Sequence, residues 1–241
     1  MNQVKSKPNI SQEVFIIGLF IVVILLLIAF LYYNSTKDYK VLVDETQALF
    51  NNYEMSIPSE MIPPPKGLKM SFILWLYIDN ISENSQWFSN FTGDKIIMDK
   101  NNGPTIVYLP YSNSIKILVK IKDIRQPLEL SERERSNTHR DVPSQLEFKE
   151  RVQEIQVNDI KFQSWTQLAV VIDNRYVDVY LNAVLVKSVL LDNVPIFNHG
   201  EITIGKAKHN PNLFLGKLEY KPDVVTLAEL NAINIRDKNS L

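Results

Sequence analysis

The hydrophobic pattern divides the chain at about residue 34. Val14 to Tyr33 (VFIIGLFIVVILLLIAFLYY) is an unbroken apolar run without charge or Pro. A bilayer core about 30 Å thick takes about 20 apolar residues at helical rise. Lipid offers the backbone no hydrogen-bond partner, so a spanning segment of this kind must be helical. The pattern predicts a single transmembrane α-helix over 14–33 behind a polar tail over 1–13. Tyr32 and Tyr33 end the run, and amphipathic aromatic rings prefer the headgroup layer, which assigns both to the membrane interface. A cleaved signal has roughly 7–15 apolar residues and a small-residue cleavage site. This run is longer, and Phe30, Leu31, Tyr32 and Tyr33 form no such site. Lys5 and Lys7 before it balance Lys37 and Lys40 after it, so the flanking charges leave the orientation open.

Residues 34–51 read as a juxtamembrane stalk, with Tyr39, Leu42, Leu49, Phe50 and Tyr53 irregularly spaced along one side of a short helix. Pro63, Pro64 and Pro65 then impose an extended segment, because each ring fixes φ and removes a donor. From Lys69 onward the period changes to two. Ser71–Ile78 is a continuous apolar run ending at the turn formers Asp79 and Asn80. Further strand-like runs are Lys95–Met98, Thr105–Leu109, Ser114–Ile121, Leu146–Val157, Trp165–Asp173, Tyr176–Leu181, Val184–Leu191, Glu201–Ile204 and Leu215–Tyr220. In Tyr176–Leu181, Val177, Val179 and Leu181 point one way and Tyr176, Asp178 and Tyr180 the other. Tight turns are expected at Asp173-Asn174-Arg175 and Leu181-Asn182-Ala183. Many short strands with this punctuation predict an antiparallel sandwich or barrel over 52–241. Only Leu227–Ile233 reads as a short helix. Ser131–Asp141 (SERERSNTHRD) has no apolar residue and reads as a solvated loop.

Composition narrows the function classes. Residues 35–241 carry 24 Lys+Arg (26 less Lys5 and Lys7) and 26 Asp+Glu (27 less Glu13). That balance argues against nucleic acid, whose binding rests on phosphate neutralisation. The chain has no Cys, which removes disulfides, thiolate metal sites and a Cys nucleophile.

The order and spacing of the runs resemble the concanavalin A-like, laminin-G-like jelly-roll superfamily. Ser71-Phe72-Ile73-Leu74-Trp75-Leu76-Tyr77-Ile78-Asp79 looks like that family's early core strand. The likeness continues through Asn158-Asp159-Ile160, Trp165-Thr166-Gln167-Leu168-Ala169-Val170, Arg175-Tyr176-Val177-Asp178-Val179-Tyr180-Leu181-Asn182 and Ile202-Thr203-Ile204-Gly205 to Thr226-Leu227-Ala228-Glu229-Leu230. Ala183 departs from the pattern, since Gly usually follows the Asn there. The resemblance implies an all-β, antiparallel jelly-roll β-sandwich. With the anchor, the chain looks like membrane-bound forms of this module from large DNA viruses and some protists.

The superfamily includes glucanases, which need paired carboxylates. Their Glu-x-Asp-x-x-Glu motif is absent. Glu147 and Glu150 would fall on opposite strand faces, and Glu132 and Glu134 sit among Arg133 and Arg135. His139, His199 and His209 share no metal or triad spacing. No cofactor is expected. Calcium is the one ion the resemblance raises, with Asp79, Asn80, Asp173, Asn174 and Asn182 as oxygen donors at loop ends, although turn chemistry explains the same residues. Trp75 and Trp165 read as core. Trp87, with Phe88 and Phe91 in a mostly polar stretch, is the candidate for partner or glycan contact.

These readings lead to a non-catalytic, membrane-anchored interaction or structural protein. Its expected partners are the lipid bilayer and another protein, such as a capsid or virion component. Its expected location is a membrane, a virion membrane in the viral version. A lectin-like glycan receptor is the alternative, and a glucanase-like enzyme comes third.

Overall fold

Strands with one apolar face must bury it against another layer, and the alternating runs after residue 69 do this in two stacked sheets. The computed structural model describes residues 10–36, 39–49, 54–79, 95–101, 103–124, 148–197, 199–205 and 213–238. The chain divides into two units, Met1–Tyr39 and Lys40–Leu241.

The first unit holds helix α1 (Ile10–Thr36). It corrects the expectation of a single-pass membrane location. Among the described residues, no helix is long and apolar enough to cross a membrane. The side chains of Tyr32 and Tyr33, assigned to a membrane interface, lie outside the described residues.

The second unit contains β1 (Lys40–Val43), β2 (Gln47–Ala48), β3 (Met55–Ile57), β4 (Lys69–Ile78), β5 (Lys95–Lys100), β6 (Thr105–Leu109) and β7 (Ser114–Ile124). It continues with β8 (Phe148–Val157), β9 (Thr166–Asp173), β10 (Tyr176–Leu181), β11 (Val184–Leu190), β12 (Ile202–Ile204), β13 (Leu213–Lys221) and helix α2 (Leu227–Lys238). One sheet runs β1-β13-β4-β9-β10-β11, with β2 also on β13. The other runs β3-β12-β5-β6-β7-β8. The pairings are antiparallel. The expected antiparallel sandwich is therefore present, without the transmembrane helix expected in front of it.

The period-two pattern decides which side chains meet between the sheets. Phe72, Leu74 and Leu76 of β4 and Leu168, Val170 and Ile172 of β9 point inward. Ile115, Ile117, Val119 and Ile121 of β7 meet them from the other sheet. Two short strands depart from the expected plan. β1 and β2 fall where a stalk is expected, yet both pair with β13, and Leu49 just after them is fully buried. The unit thus begins at Lys40 and not at 52.

The turn between β10 and β11 is Asn182–Ala183, with φ of 49° and 62°. Positive φ at both central residues is the backbone of a type I′ hairpin, whose twist matches the strands. Helix α2 lies over the outer face of the first sheet. Thr226 and Glu229 cap it reciprocally: Glu229 Oε2 accepts from the Thr226 N–H at 2.7 Å, and Thr226 Oγ1 accepts from the Glu229 N–H at 3.3 Å.

Candidate functional site

The outer faces of the two sheets differ chemically. The outer face of the second sheet carries paired charges, Lys116–Glu154 at 3.2 Å and Lys120–Glu150 at 3.8 Å. That is a solvated surface. Glu150 is thus in an ion pair, while Glu147, Glu132 and Glu134 lie outside the described residues.

The outer face of the first sheet is mostly buried. On β4, Ile73 and Trp75 point away from the intersheet core and are still 1% exposed. Gln167 and Ala169 on β9 are fully buried on the same side. Part of this cover is α2, held by charge. Lys217 donates to Asp237 at 3.2 Å and lies 3.2 Å from Glu219, and Arg236 bonds both acids. Burial pushes the Asp237 carboxyl up, but hydrogen bonds and charge from Arg236 and Lys217 outweigh it and hold it below its ordinary value. The Arg236 guanidinium is raised, chiefly by its hydrogen bond to Asp237. Lys221 and Glu229 add a contact at 2.7 Å.

At the far end of this face the cover thins. Phe214 of β13 stands opposite Tyr77 of β4, with ring centroids 5.9 Å apart and edge-on. Tyr77 meets Trp165 at 5.5 Å. The three rings form a half-exposed row from β13, β4 and the residue just before β9. Phe162, 40% exposed, sits in the adjoining loop, whose Gln163 N–H donates to the Ile78 carbonyl at 2.8 Å.

One step inward, Trp75 and Gln167 are directly opposed in register. The backbone of Gln167 is fully engaged: its N–H donates to Asn182 Oδ1 at 3.0 Å, and its carbonyl accepts from the Asn182 N–H at 2.8 Å. Its side chain is not. Among the described residues, both amide atoms of Gln167 and the Trp75 indole N–H are buried without a hydrogen-bond partner. Each such group costs about 1–3 kcal/mol, and folded proteins contain few of them.

The sequence-derived candidates fare unevenly. Trp165, expected in the core, is half-exposed in the aromatic row. Trp75 is buried as expected, but on the outer face and not between the sheets. Trp87, Phe88 and Phe91 lie outside the described residues. The calcium donors do not converge. Asp173 pairs with Lys69 at one end of β4, whereas Asp79 follows the other end, about 30 Å away at strand rise. Asn80 lies outside the described residues, Asn174 donates to Asp173, and Asn182 Oδ1 holds Gln167. Among the described residues, no three His, Asp or Glu side chains form a metal-binding group. His139 and His209 are not described. His199 lines an open cleft of about 600 Å³ with Lys40, Glu60, Met61 and Pro63. That cleft has the volume of a ligand site, but its lining is mostly exposed and, among the described residues, holds no buried polar anchor.

Sequence reasoning missed the Phe214–Tyr77–Trp165 row because the rings come from three segments far apart in the sequence. The available signal was parity: Tyr77 alternates with the inward residues Leu76 and Ile78.

No protein-family profile matches the chain, and no curated protein matches its sequence. Its fold is similar to solved structures of neurotoxin binding domains. The botulinum neurotoxin serotype D binding domain superposes with a TM-score of 0.53 at 11% identity, covering 83% of this chain and 46% of that one. The botulinum neurotoxin serotype G binding domain gives 0.52 at 13% identity, covering 78% of this chain and 42% of that one. This chain spans less than half the length of either, and identity this low extends the likeness to the fold alone.

Proposed function

We propose that the second unit is a non-catalytic binding module of the jelly-roll type, and that it recognises glycans at the Phe214–Tyr77–Trp165 row. The row carries this reading. A pyranose ring presents an apolar C–H face and polar edges, and an aromatic shelf flanked by amides matches both. The order β13-β4-β9, between strands far apart in sequence, supports the jelly-roll assignment, and the likeness to domains described as binding domains supports a binding role. The lack of a Glu-x-Asp-x-x-Glu motif in the sequence supports a non-catalytic role.

A glycan array probed with the full chain tests the reading. Saturable, sugar-competed binding is expected, weakened at least tenfold (about 1.4 kcal/mol) by Tyr77→Ala or Trp165→Ala. Binding to no glycan, or binding unaffected by both changes, contradicts it.

A protein partner is the second reading, favoured by β11. This edge strand leaves Val184 63% and Leu190 51% exposed, and an apolar edge is a template for an added strand. Crosslinking that recovers the same protein each time, and fails when Val186→Pro blocks the edge, would support it.

A further inference from the structure

We propose that the Phe214–Tyr77–Trp165 row reads a single linear glycan chain along its length, one sugar to each ring, and neither a lone terminal sugar nor a flat polysaccharide surface. This inference rests on the glycan reading above and narrows its ligand class. The rings stand side by side across the sheet, at Phe214 of β13, Tyr77 of β4 and Trp165 just before β9. Their centroids are 5.9 Å and 5.5 Å apart. A pyranose has the same ring size as a phenyl ring, so each step is close to the advance of one residue along a linear chain. Sugars of one chain are covalently linked. Once the first has stacked, contacts at the second and third rings are intramolecular and add affinity.

The ring planes argue against a flat ligand. Tyr77 is inclined at 71° to Phe214 and at 53° to Trp165, and each ring is half-exposed. Rings so inclined cannot lie together against one plane, such as the face of a crystalline polysaccharide. A single dissolved chain turns about its glycosidic bonds and presents each sugar at its own angle. The row also has ends. Beyond Phe214, β2 places Ala48, which has no ring. Beyond Trp165, β10 closes in the Asn182–Ala183 turn. The chain length that gains from the row is therefore set by its three rings.

Linear sugars of graded length test this on the full chain. β1,4-linked oligomers of glucose, N-acetylglucosamine, mannose and xylose, each from one to six units, are titrated alongside the array glycans. For at least one series, affinity is expected to rise at least tenfold from one sugar to three and less than about threefold beyond. Phe214→Leu and Trp165→Leu each remove an end ring and keep an apolar side chain. Both are expected to bring the levelling-off from three sugars to two, with Tm, measured in parallel, within a few degrees of wild type. Crystalline cellulose and crystalline chitin are not expected to deplete the wild-type protein from solution. The chain assignment is overturned, while the glycan reading stands, if an array glycan binds but no linear series does. Affinity independent of length, a levelling-off that stays at three sugars in both variants, or depletion by either crystalline polymer has the same consequence. Binding of no sugar overturns both.

Discussion

At the scale of single residues, the chain keeps local costs where a rigid frame can hold them. Ala183 has φ of 62° in the second position of a type I′ turn. A residue with a Cβ is disfavoured there by roughly 1–2 kcal/mol, while Gly costs about 0.5–1 kcal/mol in unfolded-chain entropy. Ala183→Gly should therefore stabilise the unit by about 0.5 kcal/mol, visible as a rightward shift in a urea unfolding curve. A leftward shift would mean that packing of the buried methyl outweighs the turn strain. The sequence marks this position, because Asn-Ala replaces the Asn-Gly such turns favour. It does not mark Gln167, whose missing partners depend on residues brought together only by strand pairing.

At the scale of elements, most of the strands are legible in the sequence. Thr105–Leu109 and Tyr176–Leu181 coincide with β6 and β10. Alternation is strongest where one face meets the core and the other meets water. β1 and β2 are too short for any period to emerge, and only tertiary pairing to β13 defines them. Their contribution is testable: Leu49→Ala should cost about 2–5 kcal/mol by chemical unfolding, as expected for a buried core side chain. Near-zero cost would return residues 40–49 to a stalk. Helix α2 extends past the expected Leu227–Ile233 to Lys238, and its capping box Thr226-x-x-Glu229 is readable in the sequence. Thr226→Ala should cost about 1 kcal/mol. The charged clamp gives α2 a pH dependence. Because the Asp237 carboxyl lies below its ordinary value, it contributes stability at pH above about 4, where an unfolded Asp is ionised. That contribution is lost as pH falls through the lowered value. Thermal melts should show a smaller acid loss for Asp237→Asn than for the wild-type chain.

At the scale of the whole molecule, the sandwich between Lys40 and Leu241 works as a frame with two unlike outer faces. One is charged and solvated. The other is closed by α2 along part of its length and ends in three rings from distant parts of the chain. The apolar run at the N-terminus dominates the sequence, yet among the described residues no helix is long and apolar enough to cross a membrane. What points to function is in the second unit, where parity turns Tyr77, Trp165 and Phe214 to one side. That row is the surface we propose for glycan binding. Its most direct test is titration of the full chain and its Tyr77→Ala and Trp165→Ala forms with the best glycan from an array, with Tm measured in parallel. Saturable wild-type binding is expected, reduced at least tenfold in each variant without loss of cooperative unfolding. Equal binding by all three proteins would place recognition elsewhere and contradict it.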